Sequence, residues 1–127
     1  VENGENLQIL RYGLGQQYKP HHDFFDPADP STPKSLGLAG QRCATMVIYL
    51  NTPKRGGGTT FPEAGNLTVE PKKGRAVFFS YCVPSPDRLT LHAARPVLEG
   101  EKWVAVKWLR RQRLQGDHLV ARLQANA

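Results

Sequence analysis

Short segments in which apolar and polar residues alternate recur along this chain, and they restrict its fold more than any other feature. An alternation of period two is typical of β-strands, whose successive side chains point to opposite faces. Clusters of Gly and Pro, such as NTPKRGGG, EPKKG and VPSPD, separate the segments and favour turns. The pattern predicts six strands: Leu7–Tyr12, Ala44–Leu50, Leu67–Glu70, Arg75–Phe79, Arg88–Ala93 and Lys102–Leu109. Many short strands with turns between them favour an all-β sandwich or barrel.

The bulk composition fits one globular domain, residues 1–127, with 39% hydrophobic and 22% charged residues. A net charge of +6 favours anionic ligands or partners without choosing among them. The two cysteines, Cys43 and Cys82, form no C-x-x-C pattern, which favours free thiols. The chain shows no signal peptide and no membrane-spanning apolar run, so we expect a cytoplasmic protein.

Two stretches interrupt the strand pattern. Residues 26–40 are rich in Pro, Ser and Asp and are expected to form an irregular loop. This loop is either a plain connection or a lid beside a site, and the sequence leaves both readings open. One short helix is predicted near Asp117–Gln124.

The stretch YKPHHDFF places two histidines directly before an aspartate. In an extended segment, His21 and Asp23 project to the same side, whereas His22 points the other way. An imidazole and a carboxylate suit a divalent transition metal, and two histidines with one carboxylate form the facial triad that holds non-haem Fe(II). Because H-x-D alone is a weak signal, a second histidine is needed elsewhere in the chain.

His92 and His118 are the remaining histidines. His118 lies in a polar tail, where a solvated side chain is expected. His92 lies in the alternating segment LTLHAARPV, on the face that the pattern does not require for packing. His92 is therefore the candidate third ligand.

Lys102 stands ten residues after His92, at the start of KWVAVKWL. Alternation places Lys102 on the same face as Val104 and Val106. A lysine inside a barrel needs a negative charge beside it, and a ligand carboxylate would supply one. Without further context, a surface lysine on an edge strand is the alternative.

Three stretches together, LQILRYGLGQQYKPHHDFF, GGGTTFP and LHAARPVLEGEKWVAVKWLR, strongly resemble the Fe(II)- and 2-oxoglutarate-dependent dioxygenases of the prolyl 4-hydroxylase type. The resemblance extends from Leu7 to Arg110 and favours the collagen-type, alpha-subunit branch. It implies a double-stranded β-helix (jelly roll) with few or short helices. The activity it implies is hydroxylation of peptidyl proline to 4-hydroxyproline, coupled to oxidative decarboxylation of 2-oxoglutarate to succinate and CO₂. The resemblance also implies ascorbate as a reductant.

The resemblance also implies roles for individual residues. His21, Asp23 and His92 match the iron ligands. Lys102, Tyr12 and Thr59 match the residues that hold the distal carboxylate of 2-oxoglutarate. Tyr18, Arg42 and Trp108 match positions that line the groove for a Pro-rich or collagen-like peptide.

Several alternatives remain at this stage. A phosphate loop at KRGGGTTF fails, because no Lys follows the last Gly. The run Arg110–Arg113 is more typical of a solvated strand end than of a nucleic-acid contact. A nucleic-acid demethylase is disfavoured because such relatives hold 2-oxoglutarate with arginines, whereas a hydroxylase of a free amino acid stays open. A binding module with a dead site would require a lost ligand, and none is lost.

The helical segment that usually precedes the first strand is expected to be absent, and the protein is expected to be a monomer or homodimer.

Overall fold

The computed structural model describes residues 3–26, 28–30, 40–81 and 89–112, and these residues form strands and turns without a helix. There are ten strands in this part of the chain. They are β1 (Gln8–Tyr12), β2 (Tyr18–His21), β3 (Arg42–Tyr49), β4 (Arg55–Gly56), β5 (Thr59–Phe61), β6 (Leu67–Val69), β7 (Ala76–Ser80), β8 (His92–Ala94), β9 (Val97–Glu99) and β10 (Lys102–Arg110).

The strands form two four-stranded antiparallel sheets and one small ribbon. The main sheet has the order β1-β10-β3-β7, the second sheet has the order β2-β8-β5-β6, and β4 pairs with β9. The two larger sheets face each other, since Phe61 of β5 packs edge-on against Phe79 of β7 with ring centroids 5.2 Å apart. This arrangement confirms the predicted all-β fold and its jelly-roll form.

The core lies on the inner face of the main sheet. Tyr49, Val104 and Val106 are almost fully buried there, and Val47 and Val77 pack against them. Val47 lies opposite both Val106 and Val77, so the three valines form one row across β10, β3 and β7. Branched side chains suit this pleated, buried surface.

The outer face of the main sheet carries large apolar side chains as well. Exposed hydrophobic residues on it include Ile9, Met46, Phe78 and Trp103. Large apolar side chains are therefore not confined to the inner face of this sheet. No helix in the described ranges is long and apolar enough to cross a membrane.

Most predicted strands agree with the observed bounds to within two residues, but Arg88–Ala93 begins four residues too early. Arg88 lies outside the described residues, Leu89 and Thr90 form a turn, and β8 begins only at His92. Leu91 and His92 are both buried, so the expectation that the His92 face is not needed for packing is also wrong. Sequence patterning missed β2, β4, β5 and β9, which are too short to show a clear period. The predicted helix Asp117–Gln124, His118 and most of the 26–40 loop lie outside the described residues.

Candidate metal centre

The candidate centre forms where β2 and β8 run side by side. His21, the last residue of β2, lies directly opposite His92, the first residue of β8. Their rings are 4.3 Å apart, and Nε2 of each approaches the same oxygen, Oδ1 of Asp23, at 3.3 and 3.4 Å. One ligand atom from each of the three residues lies within 4.8 Å of the other two. The ring of His22 instead stacks on Phe24 at 4.6 Å, as strand alternation predicts.

Backbone contacts leave the Nε2 atoms of both histidines available to a metal. His21 Nδ1 lies 2.7 Å from the carbonyl oxygen of Lys19, and His92 Nδ1 lies 2.9 Å from that of Thr90. A carbonyl oxygen only accepts, so each Nδ1 donates a proton, and a ring that gives up its Nε2 proton on binding a metal presents its lone pair at Nε2. Metal-binding histidines are commonly oriented in this way. Two imidazole nitrogens and one carboxylate oxygen around one point fit Fe(II).

The second oxygen of Asp23 is held from the opposite sheet. Oδ2 accepts hydrogen bonds from the Thr45 hydroxyl at 2.7 Å and from the Trp108 indole Nε1 at 3.2 Å. Thr45 Oγ1 lies 2.7 Å from the hydroxyl of Tyr81, which can donate to it in turn. Burial alone would raise the pKa of Asp23, but the hydrogen bonds from His21, His92 and Thr45 hold it well below its ordinary value. The carboxylate is therefore ionised, with Oδ1 turned towards the histidines.

Lys102 is buried further along the same inner face. Its side chain is 1% exposed, its ammonium donates to the carbonyl of Gly57 at 2.8 Å, and Nζ lies 4.2 Å from the centre of the Tyr12 ring. Within the part of the chain that the structure describes, no carboxylate comes within ion-pair distance of it. Burial lowers the pKa of Lys102 to about 8. A carboxylate ligand would complement this charge.

Two more hydroxyls belong to this region. Thr59 is buried and its Oγ1 lies 2.5 Å from the hydroxyl of Tyr49. Tyr49 lies opposite Val104, and Tyr12 lies opposite Lys102, so both tyrosines belong to the inner face of the main sheet. Burial raises the pKa of Tyr12 and that of Tyr49, so both hydroxyls keep their protons as donors.

The predicted groove residues lie beside the metal cluster. Tyr18 is half exposed and its ring packs 3.9 Å from that of His21. The central carbon of the Arg42 guanidinium lies over two rings, 4.4 Å from the centre of Phe25 and 4.2 Å from that of Trp108. The structure thus brings the predicted ligands and groove residues together, whereas Lys102 and Tyr12 lie further along the same inner face, towards the other end of β10.

Sequence reasoning missed Glu5, Thr45, Tyr49 and Tyr81. Thr45 and Tyr49 alternate with Val47 along β3, so the period of two could have placed them on the inner face. Glu5 gave no such signal, because its contacts depend on which strands are neighbours.

A family model described as the 2OG-Fe(II) oxygenase superfamily matches residues 7–110. The chain is 49% identical over 111 residues to prolyl 4-hydroxylase subunit alpha-1 of Gallus gallus, which covers 86% of this chain and 21% of that protein. It is 37% identical over 130 residues to prolyl 4-hydroxylase 2 of Arabidopsis thaliana, covering 85% of this chain and 42% of that one. The chain therefore spans less than half the length of either relative.

A solved structure shows the same likeness. The viral collagen prolyl hydroxylase of Paramecium Bursaria Chlorella virus-1, determined in complex with 2OG, superposes with a TM-score of 0.69 at 39% identity. This match covers 89% of the present chain and 61% of the viral one.

Proposed function

Since this chain belongs to the 2OG-Fe(II) oxygenase superfamily, we propose that it hydroxylates peptidyl proline to 4-hydroxyproline with Fe(II), 2-oxoglutarate and O₂. The observation that carries the proposal is the convergence of His21 Nε2, His92 Nε2 and Asp23 Oδ1. These three residues would hold Fe(II) from one side and leave it accessible to a cosubstrate and O₂. The choice of proline is supported by the names of the relatives, which are prolyl hydroxylases.

Fe(II) and 2-oxoglutarate, when bound, supply an O₂-dependent oxidation in which one oxygen atom enters a substrate C–H bond and the other enters succinate, with release of CO₂. The residues of the chain bind and orient the reactants. His21, His92 and Asp23 would hold the metal, and the contacts of Asp23 Oδ2 keep its other oxygen aimed at that point. The rings of Phe79 and Phe61 pack 4.7 and 5.8 Å from that of His92 and keep water away from its buried side.

Lys102 would pair with the distal carboxylate of 2-oxoglutarate, and Tyr12 and Thr59 would donate hydroxyl hydrogen bonds to it. The support is a buried ammonium whose nearest described partners are a neutral carbonyl and a ring face. The hydroxyl of Tyr49, in contact with Thr59, is a further donor at the same place.

Tyr18, Arg42 and Trp108 would line the groove for a Pro-rich or collagen-like peptide. Aromatic walls and a planar guanidinium suit the flat, apolar pyrrolidine ring and the carbonyl oxygens of an extended Pro-rich chain. The expected cytoplasmic location and the expected monomer or homodimer stay predictions.

The test is an assay of Pro-rich peptides and free proline with Fe(II), 2-oxoglutarate and ascorbate. We expect mass spectrometry to show the gain of one oxygen atom on proline within a peptide, with one succinate formed per hydroxylation. His92→Ala should abolish both products. Full turnover by His92→Ala would contradict the metal site, and a gain on free proline alone would contradict the peptide substrate.

A further inference from the structure

The register of the main sheet places two arginines side by side near the metal centre. Arg110 of β10 lies directly opposite Arg42 of β3. Both guanidiniums approach the ring of Phe25, at 4.4 Å for Arg42 and 5.3 Å for Arg110. Like charges directly opposite each other destabilise a sheet, and the Arg110 side chain is only 3% exposed, so water screens it poorly. This pair therefore needs a counterion.

Glu5 supplies a counterion to both arginines. Its two carboxylate oxygens accept from Arg42 Nε and Nη2 at 2.6 and 3.0 Å, which is the two-pronged geometry of a strong guanidinium–carboxylate pair. Oε2 also lies 3.5 Å from Nη1 of Arg110. The side chains of Glu5 and Arg42 are about 80% buried in this contact. One carboxylate thus neutralises part of two neighbouring cations.

The backbone of Glu5 is held independently of its carboxylate. Its amide donates to the carbonyl of Trp108 at 2.8 Å, and its own carbonyl accepts from the Lys107 ammonium. Gly4, the residue before it, pairs with Leu109 as an additional bridge beside β10. A change that removes only the charge of Glu5 should therefore leave this segment in place.

The guanidinium of Arg42 packs on two aromatic rings. Its central carbon lies 4.2 Å from the centre of the Trp108 ring and 4.4 Å from that of the Phe25 ring. The Trp108 indole donates to Asp23 Oδ2, and Arg42 Nη1 donates to the carbonyl of Asp23 at 3.3 Å. A continuous set of contacts thus runs from Glu5 to the backbone and side chain of a metal-site residue.

We propose that Glu5 is a positioning residue that fixes Arg42 and Trp108 as one wall of the peptide groove. The proposal rests on the proposed function in so far as the groove binds a peptide. Without the carboxylate, the two arginines repel each other and the Arg42 guanidinium loses its fixed orientation. Binding of the peptide must then order the side chains of Arg42 and Trp108, and this entropy cost weakens the affinity for the peptide. The affinity for 2-oxoglutarate does not change, because these side chains do not contact it.

The kinetic test compares Glu5→Gln with wild type. We expect the KM for a Pro-rich peptide to rise about tenfold, which corresponds to about 1.4 kcal/mol, while the KM for 2-oxoglutarate changes less than about twofold. Glu101→Gln is the matched control, because Glu101 pairs with Arg11 at 2.8 Å in a half-exposed ion pair at the other end of β10. In an Arg42→Met background, Glu5→Gln should have no further effect on the peptide KM. Equal increases in both KM values, or an undiminished effect in the Arg42→Met background, overturn the proposal.

A spectroscopic test needs no activity. Trp103 and Trp108 are the two tryptophans, so a Trp103→Phe background leaves Trp108 as the single indole emitter. In that background, Glu5→Gln should increase acrylamide quenching of Trp108, and Glu101→Gln should not. Unchanged quenching overturns the proposal. If wild type hydroxylates no peptide, the proposed function fails, and the quenching difference alone then decides whether Glu5 positions Trp108.

Discussion

Lys102 combines a positive charge with nearly complete burial, which is a costly state for a lysine. Among the described residues, the ammonium has one neutral hydrogen-bond acceptor, the Gly57 carbonyl, and one aromatic face, that of Tyr12. The stability of the fold alone does not explain such a residue, because an apolar side chain of similar length would fill the same space. Binding of an anion does explain it.

Lys102→Met should separate stability from binding. Moving the pKa from 10.5 to about 8 corresponds to a penalty of about 3 kcal/mol for the charged form, which the substitution removes. The loss of the bond to the Gly57 carbonyl costs about 1–2 kcal/mol in return. We expect the free energy of unfolding at neutral pH to rise by about 1–2 kcal/mol and 2-oxoglutarate affinity to fall about 100-fold. Denaturant titration and calorimetry measure these quantities.

The control for this substitution is Lys54→Met, at an exposed lysine that pairs with Glu99 at 3.3 Å. It should leave both the stability and the 2-oxoglutarate affinity nearly unchanged. Unaltered affinity in Lys102→Met would contradict the assigned role of Lys102.

The lowered pKa of Lys102 also predicts how cosubstrate binding depends on pH. Above a pH of about 8 the free protein loses the Lys102 proton, whereas a bound carboxylate keeps it. Binding then takes up a proton, so log affinity should fall by up to about one per pH unit above pH 8 and stay flat below it. Calorimetry in two buffers of different ionisation enthalpy measures the uptake. Lys102→Met should show none, and an equal uptake in that variant would contradict the assignment.

The same shift affects unfolding. Because the unfolded chain holds the Lys102 proton up to its ordinary pKa of 10.5, it binds more protons than the folded chain between about pH 8 and 10.5. The contribution of Lys102 to the free energy of unfolding should therefore rise with pH across this window.

The residues that the sequence identified are those whose neighbours along the chain carry information. His21 and Asp23 share a face by alternation, and Lys102 alternates with Val104 and Val106. Glu5 is recognisable only once Arg42 and Arg110 are known to be opposite each other, which depends on strand register. Pairing across strands is set by the whole sheet and cannot be read from one segment.

At the scale of elements, the run Gly56–Gly58 leads from the last residue of β4 into β5 and illustrates how a glycine motif can be misread. Gly56 has a φ of +79°, and a Cβ on it would lie 2.5 Å from the Pro96 carbonyl oxygen. The glycines therefore allow a close approach of β4 to β9, which the sequence could not show because Pro96 lies far along the chain. The same bend brings the Gly57 carbonyl to Lys102.

Gly56→Ala should be strongly destabilising. The left-handed backbone costs about 1 kcal/mol for alanine, and the clash with backbone atoms of the neighbouring strand adds to it, for a total of about 3 kcal/mol. Gly65→Ala is the matched control, because Gly65 has a φ of +68° but no atom within 4 Å of its Cβ position. Gly65→Ala should lower the free energy of unfolding only by the cost of the left-handed backbone. Denaturant midpoints measure the stability of both variants. Equal losses would show that the close approach of β4 to β9 does not add to the cost of Gly56→Ala.

At the scale of the whole molecule, the candidate centre ties the two sheets together. His21 and His92 belong to the second sheet, whereas the Asp23 carboxylate is held by Thr45 and Trp108 of the main sheet. The all-β class was predictable from alternation, but the meeting of β2 with β8 was not. It depends on long-range strand pairing, and β2 itself has only four residues.

A metal that binds these three ligands should stabilise the whole fold, because the unfolded chain cannot bring them together. At a Mn(II) concentration about 100 times its dissociation constant, the expected gain is about 2.7 kcal/mol, or a rise in Tm of about 10 °C for a domain of this size. Mn(II) serves as a probe that needs no anaerobic handling, and thermal scans with and without EDTA measure the shift. His92→Ala should lose the shift, whereas His22→Gln should keep it, since His22 stacks on Phe24 and lies outside the cluster. A full shift in His92→Ala, or its loss in His22→Gln, would mean that the metal is held by other residues than those that converge at Asp23.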